Sequence, residues 1–592
     1  MLKPISIGAE FFHELIESNS YYVDKTPFIK TVFAENTSKV MLITRPRRFG
    51  KTLTLTTFYD FLSLNPEQPG DVSRQERWFK DTAIYKDQRF CSNYMGKFPV
   101  VFISLKSVGG SEFARAYYQL ACAVFDLYST FSYLSASPNL SDAEKNIFKE
   151  IASDKNFICN VQNKDKVTDS LSNLLKFLYK HHGIKPILLI DEYDVPIAKA
   201  AHNHYYREML DIISPFLSNA LKTNDSLGRA VLTGCLRAAK ESIFTGMNNL
   251  DICSVLDTGQ DDISQGIGFT EEETKEVLSY YGLKDGYFNV VKNNYDGYYF
   301  GTVHMYCPWD VMSFCNDNYR KLKIKTHLIE ANNYWINTSG NDVIEEFMEF
   351  ICPEDVDKMQ DLLDGKPIIT EVSTALCYGD LEKHNVNDFW TLLLYTGYLT
   401  FDPQYQSANK DEYKLYIPNE EIKDCFRYKI LNFFTNNPVM KNHVNELITG
   451  LFEGNAQVVE DKLNALLEKY VSIRDFAVNA PKENYYHGFI NGLLVNGVSL
   501  IEEQKSNFES GKGYIDLIIK SGRRNEGIVI LELKQTPDEK ADKVLIAQEA
   551  VEQIVRKKYA EPYVIRQDVK AVNAYGICFC KKRCAVMGKK LK

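Results

Sequence analysis

Four short apolar runs punctuate the first 250 residues: VMLIT (Val40 to Thr44), PVVFISL (Pro99 to Leu105), PILLID (Pro186 to Asp191) and RAVLTG (Arg229 to Gly234). Each is separated from the next by more than 30 residues, and the intervals hold helical patterns over Phe113 to Tyr128, Val167 to His181 and Tyr205 to Leu221. Short strands with no polar alternation, joined through helices, predict a parallel sheet covered on its faces by helices.

The pattern changes near Phe269. FTEEETKEVLSYYG places Thr270 three residues before Glu273, a capping box that opens a helix. From Thr270 to Thr400 the chain reads as mainly helical, with turns at Asp296-Gly297 and Ser339-Gly340. LLLYTGYLTF (Leu392 to Phe401) and YKLYIPN (Tyr413 to Asn419) read as a strand pair, and helices resume from Asn419 to about Tyr470. The last part reads as helix (Glu483 to Val495), strand (Val498 to Gln504), strand (Gly513 to Lys520), strand (Gly527 to Lys534), helix (Lys540 to Lys558) and strand (Val572 to Cys580). The expected plan is α/β and multidomain: 1–268 around the parallel sheet, a mainly helical middle region over 269–470, and a smaller α/β core over 471–592. No internal repeat or low-complexity segment interrupts it.

Length and composition fit this plan. At 592 residues the chain exceeds one ordinary core, and 45% hydrophobic with 25% charged residues is normal for a globular protein. The net charge of −9 argues mildly against a protein dedicated to coating nucleic acid. Charge is local, however: Lys570 to Lys592 holds seven Lys or Arg and no Asp or Glu, which reads as a solvated terminus or as a phosphate-contacting tail. The 13 cysteines are scattered without a zinc spacing, and Cys578 and Cys580 suit alternate positions on a strand. Free thiols, no signal-like N-terminus and no run approaching about 18 apolar residues predict a cytoplasmic protein with no membrane span.

Two places carry chemistry. KVMLITRPRRFGKT (Lys39 to Thr52) reads as strand, phosphate loop and helix start. Such a loop needs backbone N–H groups and a helix N-terminus aimed at phosphates. Gly50 would let the backbone turn, Lys51 would neutralise the β- and γ-phosphates, and the Thr52 hydroxyl would ligate Mg2+. The position five residues before Gly50, commonly glycine, is Arg45. Arg47 and Arg48 would contact phosphate or clamp a neighbouring acid. PILLIDEYD delivers Asp191 to the Mg2+ shell and places Glu192 to orient or deprotonate a water. RAVLTGCLR (Arg229 to Arg237) ends in Thr233, a γ-phosphate sensor or an ordinary strand end, and Arg237, a source of positive charge or a surface side chain. An Arg237 acting in its own chain would allow a monomer, and one supplied by a neighbour would require an oligomer.

The second place is GYIDLII (Gly513 to Ile519) followed by IVILELK (Ile528 to Lys534). Glu532 and Lys534, two apart on a strand, share a face. The turn-forming SGRRNEG predicts a hairpin that brings Asp516 beside Glu532. Two carboxylates make a hard oxygen site for Mg2+ or Mn2+, which would activate water on a phosphodiester. Lys534 would hold the water or neutralise the phosphate. The charges end an apolar run, GIVIL, where ionised groups need a reason.

With both places in view, the chain resembles a bacterial family that joins an AAA-ATPase-like region to a C-terminal PD-(D/E)XK nuclease domain. The resemblance rests on ordered motifs: YYVDKTPFI (Tyr21 to Ile29), RPRRFGKT, LLIDEYDVPI (Leu188 to Ile197), LTGCLRAAKESIFTGMNNL (Leu232 to Leu250), YDGYYF (Tyr295 to Phe300), YWINTSGN (Tyr334 to Asn341), LLYTGYLT (Leu393 to Thr400), IPNEEI (Ile417 to Ile422), ENYYHGF (Glu483 to Phe489), GYIDLII, ILELK and EQIVRKKY (Glu552 to Tyr559). It implies ATP and Mg2+ on Lys51 and Thr52, Asp191 and Glu192 as the acids of the ATPase site, and Asp516, Glu532 and Lys534 as the nuclease centre. It adds Glu483 and Gln553 as supporting residues, and Asp24 and Lys25 near the base or phosphates. SNFESGKGYID keeps Lys512 but lacks the arginine often present there. The expectation is an ATP-binding, metal-dependent nuclease acting on nucleic acid, DNA before RNA. The alternative is a nucleotide-switched regulator whose nuclease fold grips nucleic acid or protein without cutting.

Overall fold

The computed structural model describes residues 2–34, 37–236, 250–284, 286–323, 329, 331–335, 358–359, 361–363, 365–374, 376–381, 386–426, 438–470, 486, 490, 493–494, 500–510, 513–522, 527–581 and 583–592. The chain divides into two compact units, one of 1–347 with 365–423 and one of 348–364 with 424–592.

In the first unit, β1 (Val40–Thr44), β2 (Val100–Ser104), β3 (Ile187–Asp191), β4 (Arg229–Gly234) and β5 (Leu250–Cys253) form one sheet in the order β2-β3-β4-β1-β5. Every pairing is parallel. The four apolar runs are β1 to β4, and β1 and β3 are buried along their whole length. β5 escapes the apolar-run criterion because LDIC is short and carries a charge. The main connecting helices are α1 (Lys51–Leu62) after β1, α2 (Phe113–Thr130) and α3 (Lys164–His182) before β3, and α4 (Val195–His202) and α5 (Tyr206–Leu221) after it. The order puts β4 between the phosphate-loop strand and the acidic strand, so all three end at the same edge, where open α/β sheets bind ligands.

Residues 271–423 add α6 (Glu271–Tyr280), α7 (Tyr287–Tyr295), the hairpin β6 (Tyr298–Phe300) and β7 (Val303–Met305), α8 (Pro308–Lys323), β8 (Ile368–Glu371), α9 (Val386–Thr396), β9 (Thr400–Phe401) and β10 (Glu412–Tyr416). The Thr270–Glu273 capping box is present at the start of α6. The expected strand from Leu392 is a correction: Leu392 to Thr396 end α9, and only Thr400–Phe401 pairs with β10. Phe389, Trp390, Leu392, Leu393, Leu394 and Tyr395 are all buried. A helix enclosed on all sides has no polar stripe, so its sequence cannot be told from a buried strand.

The second unit holds α10 (Pro438–Glu453), α11 (Ala456–Tyr470), a five-stranded sheet of β11 (Ile501–Ser510), β12 (Gly513–Ser521), β13 (Gly527–Gln535), β14 (Ala571–Cys580) and β15 (Arg583–Lys590), and α12 (Lys543–Arg556). β13 and β14 are parallel and the other pairs antiparallel. One face packs Leu517, Leu531, Leu533, Tyr575 and Ile577 with residues of α10 and α11. The other packs Ile518, Ile528, Ile530 and Ala574 with Ile554 of α12. Two expectations shift. β11 runs on to Ser510 through polar KSNFES, held by its ladder to β12. The basic tail is the edge strand β15, with Cys584, Ala585 and Val586 buried between its charges.

Candidate functional site

At the edge of the first sheet the phosphate loop turns through two left-handed residues, Arg48 (φ 74°) and Gly50 (φ 92°). Gly50 caps α1, so the helix opens at Lys51 with its first N–H groups facing the loop. Lys51 is buried, and its Nζ donates to the carbonyls of Arg45 and Pro46, both at 3.1 Å, and lies 3.4 Å from Glu192 Oε1. Burial opposes its charge, but Cys235 and the carboxylates of Glu192, Asp191 and Asp194 outweigh it and hold the ammonium above its ordinary pKa.

Asp191, fully buried at the end of β3, gathers three hydroxyls. Thr52 Oγ1 donates to Oδ2 at 2.9 Å, Ser104 Oγ to the same oxygen at 3.2 Å, and Thr233 Oγ1 to Oδ1 at 2.9 Å. Burial and then the neighbouring Glu192 push its pKa up, while the two threonine hydroxyls pull it down. Glu192 sits at φ 51°, a strained turn of the kind kept at functional sites, and its Oε2 is buried without a hydrogen-bond partner. Oxygen donors from Thr52 and Asp191 beside a buried, unpaired carboxylate oxygen fit a hard divalent cation.

A cavity of about 870 Å³ opens over this edge, lined by Arg47, Arg48, Gly50, Lys51, Thr52 and Glu192 among others. Arg48 stacks on Trp309 at 3.8 Å. Arg45 does not line the cavity: fully buried, it donates to Thr44 O and Cys253 O and stacks on Phe300 at 4.6 Å. The residue in the glycine position is therefore a brace under the loop. Sequence motifs from beyond residue 269 brace it too. Phe49 packs edge-on against Tyr298 at 5.1 Å, and a Cβ on Gly397 would stand 2.9 Å from Pro46 Cβ. Lys25 lines the cavity while pairing with Glu273 at 2.6 Å. Asp24 instead holds the backbone N–H groups of Thr26 and Ala83. Arg237 lies outside the described residues.

In the second unit the antiparallel register of β12 and β13 sets Leu517 opposite Leu531. One step on along the same register stand Asp516 and Glu532, just past the last paired residues of the two strands. The next amide, Leu533 N–H, donates to Asp516 Oδ2 at 2.7 Å, so the side chain replaces a ladder acceptor where the strands part. Glu532 is 2% exposed; Lys534 Nζ lies 3.0 Å from its Oε1, and Gln553 of α12 donates to the same oxygen. Glu532 thus continues the buried row of Ile528 and Ile530 and ends it in charge.

Gly576 is what brings α12 close. It pairs with Glu532 across β13 and β14, and a Cβ there would collide with Ala547 O, Ala550 Cβ and Val551 N. A glycine inside a strand signals such an approach, and this one was legible in AVNAYGICFC. Among the described residues no group of three or more His, Cys, Asp or Glu gathers around a metal position. The pair Asp516 and Glu532 still supplies hard oxygen donors of the type Mg2+ and Mn2+ take. Glu483, expected to support this centre, lies outside the described residues, while Tyr486 stacks on Phe579 at 4.3 Å.

Among the described residues no helix is long and apolar enough to cross a membrane. Known proteins bear on both sites. A family model described as "Predicted AAA-ATPase" matches residues 6–244, and one described as "PD-(D/E)XK nuclease superfamily" matches residues 481–589. A curated relative from Azotobacter chroococcum mcd 1, described as "Uncharacterized protein in vnfD 5'region", is 22% identical over 99% of this chain and 98% of its own. The phosphate loop with β1 to β4, and β11 to β14 with Asp516 and Glu532, fall within these two matches, so the chain joins an AAA-ATPase-like domain to a PD-(D/E)XK nuclease superfamily domain.

Proposed function

We propose that this protein binds and hydrolyses ATP and cleaves nucleic-acid phosphodiesters with a divalent metal, DNA being the favoured substrate. The observation that carries the reading is Asp516 holding the N–H of Leu533, the residue next to Glu532, where the ladder ends, with Lys534 and Gln553 on the buried Glu532. A divalent ion there would supply an activated water and charge stabilisation at the scissile phosphate. Asp516 and Glu532 would hold it, and Lys534 would turn from Glu532 toward the phosphate oxygens. Gln553 would keep Glu532 oriented through the exchange.

At the nucleotide site, Lys51 now rests on loop carbonyls and against Glu192. Arriving phosphates would draw Lys51 to themselves and free Glu192 to orient water. Thr52 and Asp191 would hold the Mg2+, Thr233 would hold Asp191 in place, and Arg47 and Arg48 would meet phosphate oxygens.

The test is cleavage by the purified protein of linear, circular and single-stranded DNA and of RNA, with Mg2+ or Mn2+ and with or without ATP. Glu532→Ala and Asp516→Ala should each lower cleavage by about 100-fold or more, and Lys51→Ala should remove the response to ATP. Cleavage unchanged in both carboxylate variants sinks the nuclease assignment. Nucleic-acid binding without cleavage under either metal establishes the nucleotide-switched regulator, and cleavage confined to RNA corrects the substrate.

A further inference from the structure

The turn after β3 and the turn after β4 are joined by one buried carboxylate. Asp194, 2% exposed, uses Oδ2 to accept the backbone N–H of Cys235 and of Leu236, both at 2.9 Å. The same oxygen accepts the hydroxyl of Tyr378 at 3.2 Å. Tyr193 completes the join: its N–H donates to Thr233 O at 3.0 Å and its hydroxyl to Leu236 O at 2.7 Å. The fit is close enough that a Cβ on Gly234 would stand 2.6 Å from the Tyr193 ring and 2.7 Å from Asp194 Oδ1.

These turns touch the nucleotide machinery from behind. Cys235 Sγ lies 3.8 Å from Lys51 Nζ, and Gly234 O accepts the N–H of Arg45, the first residue of the phosphate loop, at 3.1 Å. Thr233, which holds Asp191, is the last residue but one of β4. Asp194 itself does not line the cavity. Tyr378 comes from far along the chain, in the segment 365–423, and is seated by Gly379, where a Cβ would stand 2.7 Å from the Tyr206 ring. A carboxylate buried this deeply is costly unless donors hold it, and packing alone does not call for one.

We propose that Asp194 is a positioning residue, latching the turn after β4 so that Lys51 is set for the γ-phosphate and Thr233 is set to hold Asp191, and that Tyr378 makes the segment 365–423 part of the latch. This rests on the nucleotide-binding reading. The segment carrying Tyr378 thereby acts on the difference between nucleoside triphosphate and diphosphate. Movement of that segment would loosen the γ-phosphate site while leaving the rest of the nucleotide's contacts in place.

The experiment measures the affinity of full-length protein for ATPγS and for ADP, each with Mg2+, in wild type, Tyr378→Phe and Asp194→Asn. Wild type should prefer ATPγS. Tyr378→Phe, which keeps the ring, should weaken ATPγS about fivefold and Asp194→Asn at least about tenfold, with ADP changed by less than about twofold in both. A purely structural role would weaken both nucleotides together, so the selectivity ratio is the diagnostic readout. Variants that keep the wild-type ratio, or a wild type without preference, overturn the latch alone. A wild type that binds neither nucleotide overturns the nucleotide-site reading and the latch with it.

Discussion

Gly576→Ala should loosen the second unit and slow any cleavage it performs, without touching the first. The built Cβ lies 2.7 Å from Ala550 Cβ and 2.8 Å from Val551 N, and closer still to Ala547 O. Restoring ordinary contact distances requires α12 to retreat by about 1 Å. Overpacking of this kind against backbone costs about 3 kcal/mol. For a unit of this size that lowers its unfolding temperature by about 6–12 °C. Gln553 rides on the same helix, so its grip on Glu532 is withdrawn by a similar distance, and a displacement of about 1 Å costs on the order of 100-fold in rate. The four tryptophans, Trp78, Trp309, Trp335 and Trp390, all belong to the first unit. Tryptophan fluorescence therefore follows that unit alone, whereas calorimetry records both. The substitution should move a calorimetric transition that fluorescence does not report. If both transitions stay within about 1 °C of wild type, the close approach of α12 at Gly576 is refuted. A slowed cleavage with an unmoved transition would place the fault in the positioning argument instead.

Three further outcomes follow from the first unit. Arg45→Gly, which restores the more familiar loop pattern, should destabilise the fluorescence-reported transition by about 3 kcal/mol without tightening nucleotide, because Arg45 is a buried brace. Lys51→Ala should weaken ATP binding about 100-fold, read by titration with a fluorescent nucleotide. Asp60, 3% exposed and paired with His13 at 3.0 Å, has a pKa raised by burial to about 6. The folded chain therefore holds this proton more tightly than the unfolded one. The resulting stability, about 3 kcal/mol, should be full below about pH 4 and lost as pH rises through about 6. Asp60→Asn should flatten that slope in the fluorescence-reported transition, and an unchanged slope would contradict it.

Four of the five strands of the parallel sheet, β1 to β4, were legible because each is largely buried and leaves a plain apolar signal, whereas the mostly half-buried β5 leaves none. α9 misled for the same reason: enclosure erased the polar stripe that marks a helix. β15 was hidden by its ends, since Arg583, Lys589 and Lys590 flank a buried core only three residues long. At the sites, the spacing of Glu532 and Lys534 and the GKT element were readable because their chemistry depends on local geometry. Ser104, Cys235 and Tyr378 were not, since they reach the nucleotide site only through the sheet order and a contact across 184 residues of chain. Asp194 stood in plain view beside Asp191 and Glu192, yet nothing in DEYD tells which acid faces the ligand and which faces inward.

The division of the chain into units has a practical side. Because 348–364 belongs with the second unit and 365–423 with the first, the polypeptide passes from one to the other three times, after residues 347, 364 and 423. Neither unit is a continuous stretch. A fragment ending at 423 would carry 348–364 away from the unit it is grouped with, and one beginning at 424 would lack it. Gene fusions or exchanges at a single junction would therefore divide one of the two units, whereas an exchange that respects all three passages keeps each unit whole.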